Sequence, residues 1–458
     1  TRVFTDEGPE QEYYILDADT YEKRKDLVYT GRTLFGAVSP KGQEREDHYF
    51  GPIREKIISF RQEVNENLWV LGIPAKTEHN EVAPSQHELA TIFSQTNIAA
   101  DQNERVRLIL KKIAKKHGFI CLLGEKPFNG VNGSGKHNNW SINTDTGINL
   151  FRPGDKPKDN KLFLVFLTAV IKGVDEYAGL LRSSVATYGN DFRLGANEAP
   201  PAILSIFLGD ELEEVVEDIV SEKKDKKGKE ASKLLTGAKS LPVLSKDTTD
   251  RNRTSPFAYT GNRFEFRRVG SEQNIATPNT VLNTITGYEL KEFADTVEKA
   301  KDKDKAINNW IRVNLEKHQR ILFNGDGYSE DWVKEAEKRG LPNLKTTVEA
   351  TDVLLEKKVK DLFRDSKVLS ETELLSRANI KYERYANQAI IDSKTRSHRA
   401  RKQYLPSINK YLGKLANEIK DLKEAGIPVP PTTFDTANKI AALLDEAGTA
   451  TDSLDGLL

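Results

Sequence analysis

Glu10 and Glu12 stand two residues apart in "GPEQEYYIL". On a strand that spacing aims both carboxylates the same way. Two like charges so placed repel, and the arrangement is cheap to keep when a cation sits between them. "HNEVAPSQHEL" supplies Glu81 and Glu88 on either side of a turn at Pro84, which can bring both side chains to one place. "RFEFR" puts Arg263, Glu265 and Arg267 on one strand face, a carboxylate flanked by two guanidiniums. "GVNGSGKHNNWS" (130–141) matches the phosphate-loop spacing G-x-x-x-x-G-K but places His137 where Ser or Thr would follow. A phosphate loop opens a helix; "HNNWSINTD" has no helical period and sets His137, Asn139 and Ser141 on one face of a strand. The segment reads as strand, glycine loop, strand, and Lys136 is left without a role.

Each stretch alone has a plainer reading, as a solvated strand edge or a hairpin turn that satisfies its own backbone. Together, five glutamates and a histidine beside turn or strand signals make an oxygen-rich site suited to Mg²⁺ or Mn²⁺. The single cysteine, Cys121, argues against structural zinc. Arg193, Arg251, Arg253 and the Arg263/Arg267 pair add groups that grip carboxylate and phosphate. Acidic cluster plus arginine cluster is the recipe for phosphoryl transfer from a metal-bound nucleotide.

The elements that must position these groups change along the chain. Residues 10–16 and 262–270 alternate like strands, and 51–72, 94–117 and 160–186 carry apolar residues at helical spacing. "EKKDKKGKE" (222–230) reads as a solvated surface excursion. From about 280 the pattern is helical, including 351–363 and 370–424; "GIPVPPTT" (426–433) breaks it before an amphipathic piece at 434–447. The expectation is α+β, with a catalytic core over 1–290 and a helical region over 291–458 as a site of oligomer contacts.

Composition bounds the rest. The chain has 458 residues, with Lys plus Arg and Asp plus Glu each totalling 69. Zero net charge removes the bulk electrostatic argument for nucleic acid or an anionic membrane. The apolar run 162–171 is far short of the ~20 residues that span a bilayer. No charged-then-apolar leader opens the sequence, and one cysteine suits a reducing cytosol, so a cytoplasmic location is expected. Methionine is absent from all 458 positions.

"GPEQEYYIL", "HNEVAPSQHE", "KPFNGVNGSGKHNNWS", "RLGANEAPP" and "NRTSPFAYTGNRFEFR" occur in the order seen in glutamine synthetases, and "TGRTLFGA" with "KGQEREDHYFG" resembles the type III, large-subunit class. The resemblance covers residues 5–290 strongly and implies a curved, mainly antiparallel sheet flanked by helices. It implies ATP as co-substrate and two or more Mg²⁺ or Mn²⁺ ions. Glu12, Glu81 and Glu88 would hold one ion; Glu10, His137 and Glu265 would hold the other. Asn132, Gly133 and Arg193 would bind L-glutamate, and Asn139, Ser141 and Arg253 would face the nucleotide. Arg253 and Arg267 would meet the transferring phosphate, and Glu198 would shield the intermediate and take a proton from ammonium. A homo-oligomer, a dodecamer of two hexameric rings, is implied as well. The family places a β-rich domain ahead of the E-x-E strand, and this sequence starts at that strand. It also departs from the pattern at Ala258, where other classes place arginine, and at Gly124 and Phe192, where histidine is more usual. The implied reaction is ligation of ammonia to the glutamate γ-carboxylate through γ-glutamyl phosphate. The rivals are a polyamine-directed γ-glutamyl ligase and a non-catalytic homologue.

Overall fold

The computed structural model describes residues 1–221 and 252–458, with a short strand pair at Lys233–Leu234 and Leu244–Ser245 between them. The basic stretch 222–230 and Arg251 lie outside the described residues. The chain divides into two compact units, one of residues 1–20 and 38–382 and one of 21–37 and 383–458.

The larger unit is built on a nine-stranded sheet. Its order runs Ala75–Asn80, Gln86–Thr91, Val3–Asp17, Gly135–Thr144, Phe264–Gly270, Phe257–Tyr259, Ile206–Phe207, and Ser94–Gln95 and Phe119–Leu122 also pair with the first strand. Pairing is antiparallel except between Phe257–Tyr259 and Ile206–Phe207. The alternation expected over 10–16 belongs to a longer strand, Val3–Asp17. Its Tyr13 and Ile15 are buried, with Leu89, beneath Phe60, Val64 and Leu68 of helix Glu55–Val70 and Val106, Leu110 and Ile113 of helix Thr96–Lys116. Each such side chain contributes about 2 kcal/mol on burial. That division between an apolar layer and a carboxylate-bearing face fixes the register, because a slip of one residue would put Glu10 and Glu12 into the apolar layer.

The next strands obey the same rule. Trp140, Ile142, Phe264 and Phe266 enter a second core, leaving His137, Asn139, Ser141 and Glu265 on the alternate face. The apolar run 162–171 forms part of helix Lys161–Glu176, which is buried nearly all round, as a helix without a polar stripe must be. The Asn160 side chain caps it by accepting from the Phe163 amide at 3.1 Å. It packs on helices Ala276–Glu298 and Lys303–His318.

The smaller unit is helical. The stretch expected over 370–424 is interrupted, ending one helix at Arg399, turning through a π-helical Ala400–Tyr404, and resuming as Leu405–Glu424. The piece expected at 434–447 is the middle of helix Pro431–Leu457, which packs against Leu405–Glu424. Among the described residues no helix is long and apolar enough to cross a membrane.

Candidate active site

Strand register assembles the site. Glu10 lies opposite His137 across one strand pair, Glu12 opposite Glu88 across another, and Glu265 opposite Asn139. The Ser85 turn, at φ 63°, reverses the chain so that Glu81 and Glu88 return to the same end. Five carboxylates and an imidazole thus come from four adjacent strands and one turn.

His137 is the hub. Its Nδ1 lies 3.0 Å from Glu10 Oε2 and 3.1 Å from Glu265 Oε1, and its Nε2 lies 3.7 Å from Glu12 Oε1. Burial disfavours the imidazolium, but Glu10 and Glu265 outweigh it and hold the His137 pKa well above its ordinary value. Glu265 goes the other way: burial raises it, and His137 and Arg267 more than reverse that, leaving its carboxyl well below the usual range. For Glu88 the relief from His137 is outweighed. Burial, then Glu10, Glu81 and Glu12, push its carboxyl well above the ordinary value. Glu12 is raised by burial as well, against His137 and the Gly135 amide, which donates to its Oε2 at 2.7 Å.

Ligand atoms of Glu10, Glu88 and His137 lie within 4.8 Å of one another, and so do those of His79, Glu81 and Glu88. Buried like charges sharing two such groupings are relieved by hard divalent cations, and the oxygen-rich donor set suits them. His79 was missed at the sequence level, although it stands two residues before Glu81. Its Nε2 is 2.9 Å from Glu81 and 3.4 Å from Glu88.

The remaining residues flank this cluster. Asn139 donates to Glu10 Oε1 at 2.9 Å and so orients a carboxylate. Ser141 sits further along the row, accepting from Asn143, which also bonds Asp6. Buried Arg267 donates to Glu265 at 2.8 Å and to the Asn252 carbonyl at 2.6 Å. Arg253 is exposed and donates to Glu198 at 2.8 Å. Glu198 also accepts from Asn132 Nδ2 at 2.8 Å. Glu198 and Asn197 both sit at positive φ, 65° and 53°, a strain of about 1 kcal/mol each that functional loops retain.

Gly135 makes room for a guanidinium, since an added Cβ there would strike Arg193 Nη2, whereas Gly133 lies against the Glu125 carbonyl and the Arg193 side chain. Arg193 is buried, with its Nη atoms bonded to Asn190 and to the carbonyls of Arg267 and Val269. Arg263 stacks on the Phe93 ring, 5.1 Å from its centroid. Lys136 is buried on the other face, bonded to the Gln273 carbonyl, and burial pushes its pKa down to about 7. It holds a turn, which is why it had no place in the row.

Sheet and site together define an α+β protein that gathers carboxylates, imidazole and guanidinium on one sheet face. The glutamine synthetase catalytic-domain model matches residues 4–205, and the glutamine synthetase C-terminal-domain model matches 306–423. The chain belongs to the glutamine synthetase family. It is 52% identical over 390 residues to the type-3 glutamine synthetase of Dictyostelium discoideum, an alignment of 84% of this chain and 53% of that one. It is 48% identical over 436 residues to the glutamine synthetase of Butyrivibrio fibrisolvens, 92% of this chain and 60% of the relative. The chain thus spans about three fifths or less of the length of these relatives. A solved structure described as a GmaS/ADP complex shares the fold at a TM-score of 0.51 and 16% identity, over 84% of this chain and 70% of that one.

Proposed function

We propose that this protein is an ATP-dependent glutamate–ammonia ligase. The γ-carboxylate of glutamate attacks the terminal phosphorus of ATP, giving γ-glutamyl phosphate and ADP. Ammonia then displaces phosphate to form glutamine. The observation that carries this reading is the in-register gathering of Glu10, Glu12, Glu81, Glu88, His137 and Glu265, with Glu198 bridging Asn132 and Arg253 at the edge. The names of the extended relatives support it.

Glu12, Glu81 and Glu88 would hold one Mg²⁺ or Mn²⁺, and Glu10, His137 and Glu265 another, with His79 beside the first. When bound, such ions supply charge neutralisation around the phosphates. Arg253 and Arg267 offset the negative charge that gathers on the transferring group. Asn132, Gly133 and Arg193 bind the glutamate backbone end, and Asn139 and Ser141 lie on the nucleotide side. Glu198 takes the proton that ammonium loses, and its loop keeps water from the acyl phosphate. The catalytic work belongs to residues 1–290, with 291–458 carrying assembly contacts of a cytoplasmic dodecamer of two hexameric rings.

The test is product analysis with purified protein, Mn²⁺, ATP and glutamate. Ammonium-dependent glutamine and phosphate in equal amounts are expected. Phosphate release that needs a polyamine instead of ammonium would overturn the reading, and so would an inability to bind ATP.

A further inference from the structure

Loop 38–51 reaches Asn132 through one side chain. The Asn132 backbone N–H donates to Gln43 Oε1 at 3.0 Å, and Gln43 Nε2 donates to Asn132 Oδ1 at 2.7 Å. An amide's two ends are alike in shape, so which end faces which must come from its partners. Here one partner is unambiguous, because a backbone N–H can only donate. It fixes the Gln43 oxygen, which turns the Gln43 nitrogen toward the Asn132 side chain. Asn132 must answer with its oxygen, and its own nitrogen is left to donate to Glu198 Oε2 at 2.8 Å. The polarity thus runs from one backbone N–H through two amides to the carboxylate.

The loop is docked independently of Gln43. His48 Nδ1 donates to the Glu81 carbonyl at 2.7 Å, and Asn80 Nδ2 donates to the His48 carbonyl at 3.2 Å. On the other side, the Asn132 carbonyl accepts from the Tyr14 hydroxyl. Asn132 is held at its N–H, its carbonyl and both ends of its side chain.

We propose that Gln43 is a positioning residue for the ligase reaction: it sets the orientation of the Asn132 amide and thereby holds Glu198 in the site. The assignment rests on the ligase reading above. Gln43 acts through Asn132 and touches no reacting atom.

Kinetics of Gln43→Glu and Gln43→Ala, with glutamate and ATP varied separately, test it. Gln43→Glu keeps the size and still accepts from the Asn132 N–H, but it has no N–H to give Oδ1. The Asn132 amide must then turn over and face its oxygen toward Glu198. On the usual worth of hydrogen bonds to charged and neutral partners, kcat/KM for glutamate should fall about tenfold or more in Gln43→Glu and about threefold in Gln43→Ala. The KM for ATP should stay within about twofold in both. A packing role would reverse the order, since alanine deletes the side chain and glutamate nearly preserves it. Alanine doing more harm than glutamate, or glutamate kinetics unchanged in both, overturns the assignment while wild-type turnover leaves the ligase reading standing. A wild-type protein that forms no glutamine overturns both.

Discussion

Glu88 carries the clearest conflict between stability and function at the scale of one residue. It is 5% exposed, faces Glu12 across a strand pair, and feels Glu10 and Glu81 as well. A side chain selected for stability alone would not be an acid here. Glu88→Gln is therefore expected to leave the melting temperature of metal-free protein unchanged or raised. In the same variant, glutamine formation should drop by about a hundredfold or more, as loss of a metal-directed carboxylate does. Thermal scans with and without Mn²⁺, beside turnover, check both halves. Near-normal turnover with Mn²⁺ still bound would remove Glu88 from the ligand set.

Between elements, Glu125 works as a wedge. Its carboxylate lies against two glycines, so close that a Cβ on Gly189 would strike Oε2 and one on Gly270 would strike Oε1. Burial, with Glu272 adding, pushes this carboxyl up to about 7 from its ordinary 4.5. The native state therefore keeps a proton that the unfolded chain has released between those two values. The unfolded state binds fewer protons there, so stability falls as pH rises through the window. Glu125→Gln cannot ionise and should gain on wild type as pH rises from 5 to 8, by up to about 3 kcal/mol. Urea midpoints at the two pH values measure this, and a difference that does not change with pH would sink it. The wedge also marks where sequence reading stops. Alternation and turn residues made the strands carrying Glu10, Glu12, His137 and Glu265 legible, because an apolar face opposite a polar one is written in a period of two. Nothing in a period places Glu125 beside Gly189 and Gly270, or Gln43 beside Asn132, 89 positions away. The shift of register between Phe266 and Val269 is equally silent in sequence. His79 had a local signal, two residues before Glu81, but at that spacing a strand histidine pairs with a carboxylate as readily as with a cation.

At the scale of the whole molecule, the two units are held by different physics. The larger one rests on two apolar cores around a sheet. The smaller one is thin on apolar burial, with Leu415 and Ile419 the buried positions of helix Leu405–Glu424, and contains a fully buried acid, Asp26. Asp26 accepts from Arg24 at 2.9 Å and from the amides of Leu27 and Leu34, and Arg399 Nη1 lies 2.7 Å away. Burial raises the Asp26 carboxyl, but Arg24 and the Leu34 amide more than reverse it, holding it well below the usual range. This ties the segment 21–37 to the helix ending at Arg399, more than 360 residues later in the chain. Asp26→Asn keeps the shape and removes the charge, leaving a buried guanidinium short of its partner, which costs about 3 kcal/mol or more. With little apolar surface to offset that loss, the helical unit should melt first. Circular dichroism should resolve an earlier helical transition, and limited proteolysis should cut faster within 383–458 than in wild type. Glutamine formation at 25 °C should persist, because no residue assigned to the reaction lies in this unit. Unchanged melting and proteolysis would mean that the Asp26 cluster does not hold the unit together. A folded Asp26→Asn variant without turnover would mean that the helical unit serves the reaction itself.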